Sequence, residues 1–385
     1  MPPLLFTALI ALLIAATVAG VFFLVTAAVM VRRFAAQTPR PPERLPGVTV
    51  LKPLYGDEPN LYGNLRSFCA QDYPEVQVVF GVARADDPAV AAVERLRAEL
   101  PEADIALVVN DRVNGANLKI SNVINMMAAA RHDVLVLNDS DMIGRPDYLR
   151  AVVGALLEPG VGLVTCLYSG RPVPGLWSRL GSMWINHSFM PQVLVGKLVG
   201  GPQGCFGATM ALTRETLGRI GGFGTIVPRL ADDYALGEAV RGLGLRVAMP
   251  PHLIETQVNE PDFMTLCRHE LRWGRTVKGI EPAGYGASII TIPLLPATLL
   301  LLISGFAPWA VAFFAAVLAV RIVYNAIIDR TLGLTPAPAW LIPVRDALSV
   351  AVLLASFCGT GVTWRTQTFR VDSDGHLTLD GDIRP

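Results

Sequence analysis

From Leu4 to Val31 the chain is apolar without one charged side chain. That exceeds the roughly 20 residues a helix needs to cross a bilayer. No Lys or Arg precedes the run, and it is longer than the core of a cleaved signal peptide, so a retained membrane helix over residues 1–33 is expected. Arg32, Arg33, Arg40 and Arg44 follow directly, which by the positive-inside rule keeps the next segment cytoplasmic. A second apolar block, Ala287 to Ile328, has the length for two crossings, with a turn near Ser304-Gly305 and Pro308. Trp340 to Val362 is a third candidate, interrupted by Arg345 and Asp346, charges that are costly in hydrocarbon unless buried in a bundle. Membrane segments, two to three helices, are therefore expected over 287–362 and a polar tail over 363–385. Three full crossings would put that tail outside, whereas Arg365 and Arg370 favour the inside; a re-entrant or surface-lying segment would reconcile the two.

Between the apolar ends, residues 45–280 alternate strand and helix patterns. Val48 to Leu51, Val76 to Val82, Ile105 to Val109 and Val134 to Leu137 are short apolar runs closed by turn residues, and these predict buried strands. Ala89 to Leu100 places Val90, Val93, Leu96 and Leu100 on one helical side, and Ile120 to Ala130 is also helical. This βαβ order predicts an α/β domain with a mostly parallel sheet, whose ligands sit beyond the carboxyl ends of the strands. Leu176 to Val199, with Leu180, Met183, Trp184, His187, Phe189 and Lys197, reads either as core or as an amphipathic segment meeting lipid and acceptor. No internal repeat or low-complexity segment interrupts the chain.

Composition narrows the partners. A hydrophobic fraction of 52% with 17% charged residues points away from an ordinary soluble protein. A formal net charge of zero gives no field for nucleic acid, so none is expected. The five cysteines are scattered and free of CxxC spacing, which suits reduced thiols rather than a disulfide framework or zinc site. The five histidines form no ligand pair at helical spacing.

Three acidic stations punctuate the α/β region. Asp139 and Asp141 follow a buried strand at i and i+2, where two carboxylates can share a hard cation that neutralises a diphosphate leaving group; the same residues also suit a turn or helix cap. Asp86-Asp87-Pro88 ends another strand and suits base and ribose contact or an N-cap before proline. Asp232-Asp233 opens a helix and reads as a general base or as acids complementing the helix dipole. Arg272-Trp273 stands just before the second apolar block, where Arg can fork onto phosphate and Trp can floor an acceptor site or anchor at the interface. Lys119, behind a glycine-containing loop, is a point charge for phosphate. Gly221-Gly222-Phe223-Gly224 lacks the spacing of a dinucleotide fingerprint.

As a set these motifs resemble the family-2-type glycosyltransferases, and more narrowly the ceramide glucosyltransferase family with its bacterial hopanoid-biosynthesis relatives. The stretches are Val50-Leu51-Lys52-Pro53-Leu54, Phe68-Cys69-Ala70-Gln71-Asp72-Tyr73-Pro74, Ala85-Asp86-Asp87-Pro88-Ala89 and Val134 through Asp141. Cys205-Phe206-Gly207-Ala208-Thr209, Leu230-Ala231-Asp232-Asp233-Tyr234-Ala235 and His269-Glu270-Leu271-Arg272-Trp273 complete them. The family's Gln/Arg-x-x-Arg-Trp signature begins here with His269, which departs from it.

The resemblance implies a GT-A fold, a UDP-sugar donor, Mg or Mn, and inversion at the anomeric carbon. It places Lys52, Asp86, Asp87, Lys119 and Asp139 with the donor, Asp141 assisted by Asp139 on the metal, and Asp233, Arg272 and Trp273 in catalysis. Asp232, His269, Trp184 and His187 fall to the acceptor. Gly162 through Tyr168 and Gly175 through Leu180 look more like the hopanoid enzymes, implying transfer of N-acetylglucosamine to bacteriohopanetetrol at a bacterial inner membrane. A ceramide glucosyltransferase, a processive polysaccharide synthase and a non-catalytic membrane scaffold are the rival readings.

Overall fold

The segments whose pattern predicts strands pair into a seven-stranded sheet in the computed structural model, which describes residues 2–200, 204–359, 361–364, 367–371 and 377–379. The strands of the α/β region are β1 (Val48–Pro53), β2 (Val76–Val82), β3 (Asp104–Val109), β4 (Val134–Leu137), β5 (Met142–Ile143), β6 (Val161–Val164), β7 (Leu167–Pro172), β8 (Met210–Thr213), β9 (Arg246–Ala248) and β10 (Leu253–Val258). The main sheet has the order β3-β2-β1-β4-β8-β6-β9, and β5-β10-β7 form a second, small sheet. β1, β2, β3 and β4 run parallel, as do β6 and β9, while β8 opposes both β4 and β6.

Alternation along the central strands explains the layering. Val48 and Val50 of β1, Val78 and Phe80 of β2, and Val134 and Val136 of β4 point into one core with Leu65, Phe68, Val93, Leu96 and Val152. Leu51, Val79, Leu135 and Leu137 point the other way, onto Ile120, Val123, Met126, Leu236 and Val240. A sheet buried on both faces needs apolar residues at consecutive positions, which is why the strands read as unbroken runs. Helices Leu61–Cys69, Ala89–Glu99 and Tyr148–Leu156 cover the first face; Leu118–Met126 and Asp232–Gly242 cover the second.

The chain divides into two units, and the sheet belongs to the one built from Gln37–Arg171, Pro202–Asn259 and Gln367–Pro385. The other takes Met1–Ala36, Pro172–Gly201 and Glu260–Thr366 and is helical through residue 357. Two of its helices, Pro3–Ala35 and Pro308–Leu332, are long and apolar enough to cross a membrane. The block from Ala287 holds the span-length helix Pro308–Leu332 after a bent pair that is either a broken span or a re-entrant loop. Its first part is a pair, Pro282–Thr291 and Leu294–Ile303, bent by 62°. Pro293 marks the break, because proline lacks the N–H that would continue the helical ladder. The third candidate forms Leu341–Phe357, a helix of 17 residues.

The charges interrupting that third segment are buried and matched across helices. Arg345 donates to both oxygens of Glu270 (2.5 and 2.8 Å) and to the Leu180 carbonyl. Asp346 accepts from Arg321 of the long helix at 3.0 and 3.3 Å. Beyond these helices come β11 (Gly361–Trp364) and an antiparallel pair, β12 (Gln367–Val371) with β13 (Leu377–Leu379), so the segment expected as a polar tail contains strands. Arg365 lies outside the described residues.

Candidate active site

The second acidic station is fixed from below. β4 is buried along its whole length and hands the chain to Asn138-Asp139-Ser140-Asp141 beside the end of β1. There Lys52, 0% exposed, donates to Asn138 Oδ1 (2.5 Å) and to the Asp139 carbonyl (2.8 Å), with its ammonium 3.6 Å above the Phe68 ring. Burial lowers its pKa to about 7 against the pull of Asp141 and Asp139. This ammonium, expected from the sequence to meet the donor, is sealed from solvent and shapes the turn that carries the aspartates. Asn138 also donates to the Ala208 carbonyl, and Ser140 to Glu58 Oε1 at 2.9 Å. Asp141 accepts from the Thr256 hydroxyl at 2.8 Å. Burial, then the neighbouring Asp139 and Glu58, push the Asp141 carboxyl up to about 6.

The third station joins the second through one lysine. Asn117 caps the helix Leu118–Met126 by accepting from the Ile120 N–H at 3.0 Å, and its amide donates to Asp232 Oδ1 at 3.3 Å. One turn of that geometry sets Lys119 between stations: its Nζ is 2.7 Å from Asp139 Oδ1 and 3.2 Å from Asp232 Oδ2. Burial disfavours the ammonium, but Asp139, Asp232 and Asp233 outweigh it and hold its pKa above the ordinary value. Asp233 Oδ2 accepts from the Gly207 N–H at 2.9 Å and Oδ1 from its own helix at Tyr234 N–H, 2.7 Å. A Cβ at position 207 would lie 3.2 Å from Asp139 Oδ2 and 3.3 Å from Lys119 Nζ, so glycine suits this close approach. Burial and the adjacent Asp232 raise the Asp233 carboxyl to about 6, against the stabilising Lys119 ammonium.

The first station stands apart from this cluster. Asp87 Oδ1 accepts from the N–H groups of Gly56 and Ala89, both at 2.9 Å, so it staples the loop after β1 and starts the next helix. Asp86 is exposed and forks with Arg84 at 2.8 and 2.7 Å. It borders an open depression of ≈ 570 Å³ beyond the ends of β2 and β3, lined also by Ala83, Val109, Asn110 and Asp111. Of the two acids, Asp86 is the one left facing a ligand-sized space.

In the helical unit the Arg272-Trp273 pair lies on Phe263–Ile280. Trp273 stacks on Trp184 (5.1 Å between ring centroids), which stacks on Phe189 (5.7 Å), and the His269 ring lies 4.0 Å from Trp273. His269 Nδ1 is 2.7 Å from Oε1 of the buried Glu260. Trp184 is thus part of an aromatic stack. His187, expected from the sequence at the acceptor, is 5% exposed with Nε2 2.7 Å from Asp329.

The family profile of glycosyl transferase family 21 matches residues 11–377, nearly the whole chain. The chain belongs to glycosyl transferase family 21. Ceramide glucosyltransferase 1 of Caenorhabditis elegans is 26% identical over 213 residues, covering 55% of this chain and 46% of its own. Ceramide glucosyltransferase 3 of the same organism is 26% identical over 209 residues, covering 54% and 45%. The chain spans about half the length of these curated relatives. A mannosyltransferase from Pyrobaculum calidifontis, solved with GDP-Man and Mn2+, shares the fold with a TM-score of 0.53 at 22% identity, covering 91% of this chain and 99% of that one.

For a family 21 chain, the side chains that motif reading passed over are those holding the motif in place: Asn138, Glu58, Thr256, Asn117 and Glu260. Only Asn117 carried a local signal, as an Asn three residues before a helical position. Asn138, Glu58 and Thr256 meet their partners across long sequence separations, Thr256 with Asp141 over 115 residues, and Glu260 meets His269 nine residues on. Among the described residues no three His, Cys, Asp or Glu side chains converge as a ready metal cage. Asp139 and Asp141 nonetheless fit a hard cation that takes its remaining oxygens from a diphosphate and water, because both offer carboxylate oxygen and their mutual repulsion would fall on binding.

Proposed function

We propose that this chain is an inverting, metal-dependent hexosyltransferase that moves a sugar from a UDP-sugar to the hydroxyl of a membrane lipid, with its sheet unit on the cytoplasmic side. The observation that carries the reading is the Lys119 bridge, which gathers Asp139 and Asp232-Asp233 around one ammonium beyond the strand ends. Asp233, its carboxyl raised to about 6 by burial and the adjacent Asp232, is suited to take the proton of the lipid hydroxyl as its oxygen attacks C1. The new C1–O bond forms on the face opposite the one that breaks, and UDP leaves with the electron pair. Lys119 offers positive charge beside the donor, and Arg272 supplies a forked donor for phosphate oxygens. Asp139 and Asp141 would hold Mg or Mn, which would neutralise charge on the diphosphate. Asp86 contacts the nucleoside, and Trp273 with His269 and Trp184 forms the acceptor floor; Asp232 acts through Lys119.

The resemblance of the 162–168 and 175–180 stretches favours N-acetylglucosamine and a hopanoid such as bacteriohopanetetrol in a bacterial inner membrane. The worm relatives named as ceramide glucosyltransferases favour glucose and ceramide instead. Purified protein given UDP-glucose or UDP-N-acetylglucosamine, with ceramide or bacteriohopanetetrol in mixed micelles, should yield one glycolipid by mass spectrometry and lose turnover with chelator. No UDP release with any pair of substrates would sink the reading.

A further inference from the structure

Between the helices Leu176–Trp184 and Met190–Leu198, residues Ile185–Phe189 leave α geometry and form a π turn, in which the Met190 N–H donates to the Ile185 carbonyl five residues back. The sequence supplies the cause. In an α-helix the His187 carbonyl would accept from the N–H of residue 191, but Pro191 has no N–H and its ring crowds that carbonyl. The carbonyl accepts instead from the Tyr324 hydroxyl at 3.1 Å. Tyr324 is 3% exposed and sits on the long helix Pro308–Leu332, which also brings Asp329 to 2.7 Å from His187 Nε2. Bonding to the fifth residue sets residues five apart on one face, whereas an α-helix does so for residues three and four apart. Trp184 and Phe189 are five apart, and their rings stack at 5.7 Å with 19° between planes. Trp184 stacks in turn on Trp273 at 5.1 Å and 18°. At the other end of this ladder, the Glu260 that holds His269 is tied to helix Leu176–Trp184, because Ser178 Oγ accepts from the Glu260 N–H at 2.8 Å.

We propose that Tyr324 is a positioning residue for Trp273. Its hydroxyl holds the π turn open, the open turn lays Phe189 against Trp184, and the two rings together set the plane of the Trp273 indole. Tyr324 acts through Trp273 and not on substrate. The role rests on the reading of Trp273 as part of the acceptor floor and adds the device that orients it.

The test uses the full chain in detergent micelles. The exciton couplet of the stacked Trp184 and Trp273 indoles, taken as the circular dichroism of the parent minus that of Trp184→Phe, reports the stack without donor or acceptor. Tyr324→Phe should weaken that couplet and raise the KM for the lipid roughly fivefold, the worth of one hydrogen bond, with the KM for the UDP-sugar unchanged. Adding Pro191→Ala returns a backbone N–H to the His187 carbonyl and lets the turn close as α-helix. The double variant should therefore recover the unfolding midpoint lost in Tyr324→Phe, but neither the couplet nor the lipid KM. Recovery of all three would show that Tyr324 only satisfies a buried carbonyl and would overturn the proposal, as would a Tyr324→Phe protein identical to the parent. A weakened couplet with a parental lipid KM would detach the stack from the acceptor and overturn it equally. Should Tyr324→Phe not fold, Phe189→Leu removes the ring that the turn delivers; the lipid KM should rise, and a parental value would overturn the proposal. A parent without turnover on any pair of substrates sinks the transferase reading, while the couplets of the variants still decide whether Tyr324 sets the stack.

Discussion

In the helical unit buried acids are matched one to one: Glu270 with Arg345, Asp346 with Arg321, Asp329 with His187 and Glu260 with His269. At the strand ends of the sheet unit, Asp139, Asp141, Asp232 and Asp233 crowd around two lysines, one of them sealed beneath the turn. The two arginine pairs in that set are self-neutralised and serve packing. At the strand ends, burial first and then the neighbouring acids raise two of the carboxyls, Asp141 and Asp233, to about 6. A site that keeps such crowded acids is prepared for charge supplied from outside, which the proposed function assigns to a cation and a proton. The contrast separates structural charge from chemical charge in one chain.

The contrast breaks most visibly by removing half of a matched pair. Arg345→Met leaves Glu270 ionised, buried and alone, at a cost of about 3–5 kcal/mol. Denaturant unfolding in detergent should show that loss, and Glu270→Leu with Arg345→Met should recover most of it. A single variant as stable as the parent would mean that the pair is not held as described.

The next effect falls on rate instead of stability. Asp233→Asn keeps one oxygen, enough to accept from the Gly207 or the Tyr234 N–H but not both, and cannot take a proton. Turnover should drop at least about a hundredfold, with the unfolding midpoint unchanged or raised. Retention of most turnover would remove Asp233 from the chemistry and leave the sheet-unit cluster without its assigned role.

A pH profile sharpens the same point. Because the Asp233 carboxyl is raised to about 6, its basic form is lost as pH falls through that value. kcat/KM should therefore decline about tenfold per unit below pH ~6 and level off above it. The profile of Asp233→Asn should lack that inflection. An inflection near pH 4 in the parent would mean that the carboxyl is not buried among acids in the working enzyme.

How much of this could be read along the chain depended on range. Strands β2 and β4 fall where the apolar runs put them, because a strand buried on both faces writes itself as consecutive valines and leucines. The helix from Ala89 and the turn between Ser304 and Pro308 were equally visible, since periodicity and proline act locally. The aspartates were legible as residues at strand ends, but their division of labour was not. Asp86-Asp87 read either as a donor contact or as an N-cap, and the fold shows Asp87 accepting from the N–H groups of Gly56 and Ala89. Lys52 was placed with the donor by resemblance alone, and the fold shows it donating to Asn138 beneath the turn. The interruption at Arg345-Asp346 announced a buried charge, yet each partner, Glu270 and Arg321, lies on a different helix that no local pattern could name.

The smallest effect tests the unbalanced side of the comparison directly. The folded Asp141 carboxyl is raised from 3.8 to about 6, so ionising it costs stability. Its contribution is fully present below the unfolded value near pH 4 and is lost as pH rises through about 6. At pH 7 with chelator present, Asp141→Asn should consequently gain stability, on the order of 1 kcal/mol after allowing for partial exposure and the retained Thr256 contact. Adding Mn or Mg should then raise the unfolding midpoint of the parent more than that of Asp141→Asn, because only the parent relieves a repulsion on binding. A variant less stable than the parent in chelator would show Asp141 to be a matched charge like Glu270, and the distinction between the two units would vanish at the residue where it matters most.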